Sequence, residues 1–484
     1  MNKVTPQKAV IGLEIHIQVN TVRSKMFCTC SQDYRGAPPN TNVCPVCLGL
    51  PGSLPVPNRE VIRKAIMLAL ALGSKVLDKV VFVRKHYFYP DLPKGYQISQ
   101  HRGPGMAPIA VGGSLEIEGD SGSKRIRMRR IGVEEDPARI TYPSGDPTRS
   151  SYSLIDYNRS GVPLIEVVTE PDLSSPKEAR VFMEKLLELV DHLGISNPDL
   201  EGAFRVDVNI SIEGGERVEV KNIGSLKDIE KAISYEVVRQ RAVLAAGGKI
   251  QRETRHWDPV KGVTIVSRYK ELEEEYRYFP DPDLPPIAIT SSIVEEIASK
   301  MPELPWHRAE RYVKIYGLTR YVSRVLVSRK RLSEFFEEVV KIYGDPRRVA
   351  ELLINDFLGI VNERGGNLDM VKASPQSIAK LLSLMDQGVI SVKIMKMILE
   401  RVVLGGEDPE EIVVRENLKV IASDEELEEL AEKVIKENPK AVEDAKKNPK
   451  AINYLVGQVM KLTRGRADPQ KIAAIIRRKL SIGS

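Results

Sequence analysis

Cysteine is nearly absent from this chain: four residues in 484, all between positions 28 and 47. So few thiols argue against a disulfide framework, and a chain this long does not need one, because it can pack two to four cores. No apolar run approaches the 18 residues of a membrane span, and the longest, Ala65 to Leu72, is the size of a helical piece. The N-terminus lacks a basic-then-apolar leader, so a cytoplasmic protein without membrane contact is expected. Several familiar sites are missing as well. There is no G-x-x-x-x-G-K-[ST] phosphate loop, no G-x-G-x-x-G after a strand, no G-x-S-x-G elbow, and no H-E-x-x-H among six histidines. Repeats and low-complexity segments are absent too.

Net charge is low for the length, +6, but unevenly placed. Residues 441–484 hold ten Lys/Arg against three acids, and the rest of the chain is close to neutral. A basic end on a neutral body points to a polyanion contact at the C-terminus, with a solubilising tail as the alternative.

Periodicity gives the organisation. Residues 8–20 alternate strictly, with Ile11, Leu13, Ile15 and Ile17 against Gly12, Glu14, His16 and Gln18. Residues 204–212 repeat this, placing Arg205, Asp207 and Asn209 opposite Val206, Val208 and Ile210. A shorter segment sets Glu219 and Lys221 against Val218 and Val220. A period of two predicts antiparallel strands with one open face. Ser175-Pro176-Lys177-Glu178 reads as a capping box opening a helix that Gly194 closes, and residues 59–72 and 227–246 read as helices ended by Gly73 and Gly247. Beyond the proline-rich stretch 280–286 the period becomes 3.6, and Gly405-Gly406-Glu407-Asp408-Pro409 is the linker candidate. The expectation is an α+β protein. It has an N-terminal antiparallel-sheet domain (1–292), an all-helical region (293–408) and a small three-helix tail (409–484).

Cys28-Thr29-Cys30 and Cys44-Pro45-Val46-Cys47 have the spacing of a structural four-cysteine zinc site, with a first pair one residue tighter than usual. The polar strand faces carry Glu14 with His16, Asp207 with Asn209, and Glu219 with Lys221. The run Glu134-Glu135-Asp136 ends another apolar stretch. Carboxylates, an imidazole and an amide suit a hard cation such as Mg²⁺, and Lys94, Arg159, Arg205 and Lys221 suit phosphate charge. An ordinary solvated sheet face is the alternative. The aromatic–proline strings His86–Asp91 and Tyr276–Asp281 read as rigid pocket walls.

These strings carry a resemblance. VIGLEIHIQVNT (10–21), SKMFCTC (24–30), NVCPVCLGLPGSLPVPN (42–58), HYFYPDLPKGYQISQ (86–100), SLIDYNRSGVPLIEVVTEPD (153–172), RVDVNISI (205–212), EVKNIGSLKDIEKAISYE (219–236), QRETRHWD (251–258) and YRYFPDPDLPP (276–286) are similar to the GatB family. They follow in collinear order, and YLVGQVMKLTRGRADP (454–469) resembles the family's tail. The sister GatE family carries an inserted domain for which this chain has no room. The resemblance implies ATP- and Mg²⁺-dependent phosphorylation of the side-chain carboxylate of Asp-tRNA(Asn) or Glu-tRNA(Gln), followed by amidation. It implies a cradle-like catalytic domain, a YqeY-like tail contacting tRNA, and a heterotrimer with the GatA amidase and GatC. By motif, Glu14, His16, Glu134 and Glu135 become magnesium-site residues, with Asp207, Asn209, Glu219 and Lys221 lining the same pocket. Some members lack the cysteines, which makes Zn²⁺ a brace rather than a reagent. No ammonia-releasing apparatus is visible here, so a partner must supply ammonia.

Overall fold

The computed structural model describes residues 8–120, 122–145, 149–269, 276–421, 423–448, 451–463 and 465–480. The chain divides into two compact units, Met1–Pro305 and Trp306–Ser484.

The first unit is built on one ten-stranded sheet. Its strands in chain order are β1 (Ala9–Gln18), β2 (Lys75–Val76), β3 (Ala110–Val111), β4 (Ser114–Gly119), β5 (Gly122–Glu135), β6 (Pro163–Thr169), β7 (Phe204–Ile212), β8 (Val218–Ile223), β9 (Glu253–Asp258) and β10 (Val263–Tyr269). They lie in the order β10-β9-β8-β7-β1-β6-β5-β3-β2, with β4 paired to β5. The expected antiparallel pairing holds except between β8 and β9, which run parallel. The reason is the connection: a parallel neighbour needs a crossover, and α3 (Leu226–Ala245) supplies it. With α1 (Arg59–Ala71) and α2 (Pro176–His192), it packs onto the sheet. Ile11, Leu13, Ile15 and Ile17 of β1 and Phe182, Leu186, Leu189 and Val190 of α2 are all fully buried. At about 25 cal/mol per Å² of apolar surface removed from water, burial of this layer stabilises the unit.

Ser175 caps α2 as its sequence requires, accepting from the Glu178 N–H at 3.2 Å. Glu178 does not reach back to Ser175. Its carboxylate accepts from Ser174 N at 2.8 Å and from Lys124 Nζ at 2.7 Å, because a cation on β5 offers the stronger partner.

The sheet's polar face is partly covered, where alternation predicts an open one. A three-stranded sheet of Phe279–Pro280, Val83–His86 and Tyr96–Ser99 bonds to it: Ser99 Oγ donates to Glu134 Oε2 at 3.0 Å and Gln97 Nε2 to the Glu135 carbonyl at 2.7 Å. Period-two alternation marks where polar groups point, and cannot say what covers them.

The first compact unit runs on to Pro305, and α4 (Ser291–Ser299) is tied back to α1 within it by Arg63, which donates to Glu296 at 3.0 and 3.2 Å. The second unit is helical. Helices α5 (Pro305–Tyr316), α6 (Arg320–Val327), α7 (Lys330–Tyr343), α8 (Pro346–Leu352), α9 (Leu358–Glu363), α10 (Pro375–Asp386), α11 (Val392–Glu400) and α12 (Pro409–Arg415) contribute to one core, from Tyr312 to Leu418. A second core, Ile421 to Ile476, unites α13 (Asp424–Glu437), α14 (Pro439–Lys447), α15 (Ile452–Leu462) and α16 (Pro469–Leu480). The tail core therefore unites four helices where three are expected, and it begins at Ile421. The expected linker is a tied turn. Glu407 accepts from Arg401 and Arg415, Asp408 caps α12, and Ile412 and Val413 belong to the first core. No helix among the described residues is long and apolar enough to cross a membrane.

Candidate active site

Strand register assembles the site. On β1, His16 is the cross-strand partner of Glu166 on β6 and of Arg205 on β7, and Glu14 is the partner of Asp207. Direct partners project from the same face, so these three strands bring their charged side chains together. His16 Nε2 lies 3.2 Å from Glu134 Oε1 and 3.9 Å from Glu14 Oε1. Ligand atoms of Glu14, His16 and Glu166 all lie within 4.8 Å of one another. Arg130 holds Glu166 through two hydrogen bonds, 2.8 and 3.0 Å. Lys221 Nζ stands 3.6 Å from Asp207 and 3.9 Å from Glu219.

A register shift in the β7–β8 ladder sets Asp207 against Lys221 and Asn222. Asn222 takes a left-handed φ of 60° there, and its N–H donates to Asp207 Oδ1 at 2.8 Å. Two polar atoms beside the cluster, His16 Nδ1 and Asn209 Oδ1, are buried without a hydrogen-bond partner. Buried unsatisfied donors or acceptors are costly, and these two lie beside the converging charges.

The electrostatics follow from packing opposite charges out of water. Burial works to raise the Glu134 pKa, but the charge and hydrogen bond of His16 outweigh it and hold the carboxyl down at about 2. Burial likewise opposes ionisation of Glu14, yet His16, Lys85, Arg130 and Lys221 bring its pKa below the ordinary value. Burial dominates at Glu166 and Asp207 and pushes both up. Burial also works against the charge on His16, and Glu134 overrides it, so the imidazole titrates above its usual value. Opposed shifts concentrated in one cluster make it the candidate site.

The aromatic strings face each other as walls. His86 stacks on Phe279 at 5.0 Å, Tyr87 meets Tyr276 edge-on at 6.2 Å, and Tyr278 stacks on His101 at 4.6 Å. Lys85 Nζ lies 4.9 Å over the Tyr276 ring and is close enough to Glu134 and Glu14 to perturb both. Arg277, between the two tyrosines, adopts a left-handed φ of 47°.

The expected residues do not all converge. Glu135 follows Glu134 on β5, and successive strand residues point to opposite faces. Its Oε1 pairs with Lys94 and accepts from Ile98 N at 2.9 Å, away from the ligand cluster. Arg159 directs its donors to the Pro137 and Ala138 carbonyls at 3.0 and 2.9 Å. Sequence reasoning missed Glu166, Arg130 and Lys85. For Glu166 a signal existed: an acid inside the apolar run PLIEVVT either disrupts a core strand or serves a site.

The four cysteines also converge, with their sulfurs within 4.8 Å. Cys28 donates to Cys47, whose thiol is pulled down to about 4. The Cys44 N–H at 3.1 Å and Lys25 Nζ at 3.7 Å assist. Cys28 is pushed up correspondingly, chiefly by the same bond. A pre-ionised thiolate among three more sulfurs fits a tetrahedral zinc.

The basic excess of 441–484 is partly offset by the residues before it. Residues 409–440 carry ten acids and five bases, so 409–484 sums to +2. On α16, Arg478 pairs with Glu428, Lys479 with Glu432 at 2.6 Å, and Lys471 lies 3.4 Å from Asp424. Lys450 and Arg464 fall outside the described residues. Residues 306–348, by contrast, hold eleven Lys/Arg against five acids. On α6, Arg320, Tyr321 and Arg324 are exposed.

Comparison with known proteins bears on both units. Residues 9–295 match the GatB/GatE catalytic domain family and residues 334–480 the GatB domain family. The chain is 52% identical to the B subunit of the aspartyl/glutamyl-tRNA(Asn/Gln) amidotransferase of Sulfolobus acidocaldarius over 98% of its own length and 99% of the relative's. The same-named protein of Saccharolobus solfataricus is 50% identical and that of Thermotoga maritima 47%, each with the same coverage.

Proposed function

The chain belongs to the GatB family, and from that premise we propose that it activates and amidates the side-chain carboxylate of Asp-tRNA(Asn), Glu-tRNA(Gln) or both. The observation that carries this reading is the Glu14–His16–Glu166 cluster, ringed by Arg130, Lys85, Arg205 and Lys221 and with no thiol or hydroxyl among its members. An ionised carboxylate needs no general base to attack a phosphorus, only placement and charge neutralisation. One carboxylate oxygen of the aminoacyl group forms a bond to the γ-phosphorus of ATP as the bridging oxygen to ADP leaves. Ammonia then attacks the acyl carbon, phosphate departs with the C–O bond's electrons, and the nitrogen sheds a proton to give the amide.

Glu14, His16 and Glu166 would hold magnesium, which when bound offsets phosphate charge. Glu134, 3.2 Å from His16 Nε2, would orient the imidazole as a supporting carboxylate does for a ligand, and His16 Nδ1 is left without a hydrogen-bond partner. Arg205 and Lys221 take phosphoryl or carboxylate oxygens. Asn209, with its unsatisfied Oδ1, and Glu219 line the pocket. Lys94 stays with Glu135 at the pocket's edge. Zinc on Cys28, Cys30, Cys44 and Cys47 braces the lobe. The cysteines serve the brace, so an amidase partner supplies the ammonia, which fits a GatA–GatB–GatC heterotrimer in the reducing cytoplasm. The basic surface of 306–348, more than the tail, suits the tRNA backbone.

The test supplies the purified complex with ATP, ammonium and each misacylated tRNA. ADP and the amidated aminoacyl-tRNA should form together. Amidation independent of ATP, or no amidation of either substrate, would refute the reading.

A further inference from the structure

Arg205 is a fully engaged backbone residue with an under-engaged side chain. Its Cα partner is His16, and it is close enough to His16, Glu134 and Asp207 for its charge to act on each. Among the described residues its guanidinium donates to one group, Asp136 Oδ1, from Nη1 at 2.6 Å. Nε and Nη2 are left for an anion. A guanidinium reads a planar or tetrahedral anion only if its plane is fixed, so what fixes it matters.

Asp136 is itself buried, 2% exposed, and held from several directions. Gln18 Nε2 donates to its Oδ2 at 3.1 Å, and its backbone carbonyl accepts from Gly161 N at 2.9 Å. Gln18 is held in turn by the loop between the two cysteine pairs. Arg35 Nη2 donates to Gln18 Oε1 at 2.8 Å, and the Tyr34 hydroxyl lies 3.2 Å from Gln18 Nε2. Arg35 is anchored by two bonds to the Glu201 carbonyl, 3.0 and 2.8 Å, just upstream of β7. The cysteine lobe also grips the far side of the same corner: Met26 N donates to Gly161 O at 2.8 Å and Ser160 Oγ to Cys47 O at 3.2 Å.

We propose that Asp136 and Arg35 are positioning residues: Asp136 fixes the plane of Arg205 against the substrate anion, and the loop between the cysteine pairs, through Arg35 and Gln18, fixes Asp136. The cysteine lobe then acts on the chemistry from a distance, by setting the direction of one guanidinium. The inference rests on the reading of Arg205 as an anion-binding group.

A double-mutant cycle in the complete amidotransferase complex tests it. Asp136→Asn keeps an acceptor and loses the charge, while Arg35→Met keeps the stem and loses the link to Gln18. Each should lower kcat/KM for ATP by about tenfold, the size of a lost charge-assisted bond, with thermal midpoints close to wild type. In an Arg205→Lys background, already impaired, neither should lower it further, because the group they position is gone. Additive losses in that background would overturn the proposal, since a general structural defect adds. So would a wild-type kcat/KM in Asp136→Asn. An Arg205→Lys complex of full activity would overturn it too, by removing the group to be positioned, while leaving the amidation reading intact. Failure of the wild-type complex to amidate would instead strike the amidation reading. The cycle is then read in ATP affinity by calorimetry, where the same non-additivity is expected and additivity refutes.

Discussion

His16 on β1 and Glu166 on β6 face each other across one rung of the sheet, and neither has an ordinary pKa. Burial raises Glu166 despite Arg130, and Glu134 raises His16 against its burial. On the reading proposed above, a cation at this pair would relieve the repulsion of Glu166 with Glu14 and Glu134. Glu166→Gln should therefore abolish divalent cation binding at this site and lower ATP-dependent amidation by about 100-fold or more. Glu135→Gln, whose carboxylate turns toward Lys94, should leave cation affinity near wild type. Titration with Mn²⁺ followed by paramagnetic resonance separates them, and equal affinities in the two variants would show that the cluster is not the metal site.

Zinc content gives a second expectation. The purified, reduced protein should carry about one zinc per chain, set by four sulfurs closing on one ion. Cys44→Ser with Cys47→Ser should remove it and lower the thermal midpoint by several degrees. A metal-free wild type of unchanged stability would contradict this.

Much of this was legible in the sequence, and the limit is physical. Alternation exposed β1 and β7 and put Glu14, His16, Asp207 and Asn209 on one face, because strand periodicity is a local property. It could not reveal that β6 lies beside β1, so Glu166, in an apolar run without alternation, stayed hidden. Nor could it separate Glu134 from Glu135 by role: both stand in one acidic run, and only the register shows which one meets His16. The tail shows the same limit. Its basic excess is counted from residue 441, and composition could not show that part of it, Arg478 and Lys479 on α16, pairs with acids of α13, which lie before that point.

Charge placement makes a third expectation. If tRNA phosphates meet the surface of 306–348, Arg320→Glu with Arg324→Glu should weaken tRNA binding and flatten its salt dependence by about one logarithmic unit of slope per lost contact. Reversing Arg478, already paired with Glu428, should do less. The reverse ranking in binding isotherms from 50 to about 200 mM salt would return the contact to the tail.

The Glu134–His16 pair also sets a pH signature in stability without added divalent cation. Glu134 is depressed from 4.5 to about 2, so its contribution is complete above pH 4.5 and fades as pH falls toward 2. His16 is raised above 6.5, so its contribution is complete below 6.5 and fades as pH climbs through the higher folded value. The two windows overlap between pH 4.5 and 6.5. Glu134→Gln removes the partner's charge at nearly constant shape, and the wild type should exceed it by on the order of 2 kcal/mol within that overlap. The gap should narrow on both sides, more steeply on the acid side, where the depressed carboxylate is protonated. Urea denaturation at pH 3, about 5.5 and about 8.5 measures it. A gap independent of pH would mean that Glu134 stabilises by packing alone and that His16 titrates without it.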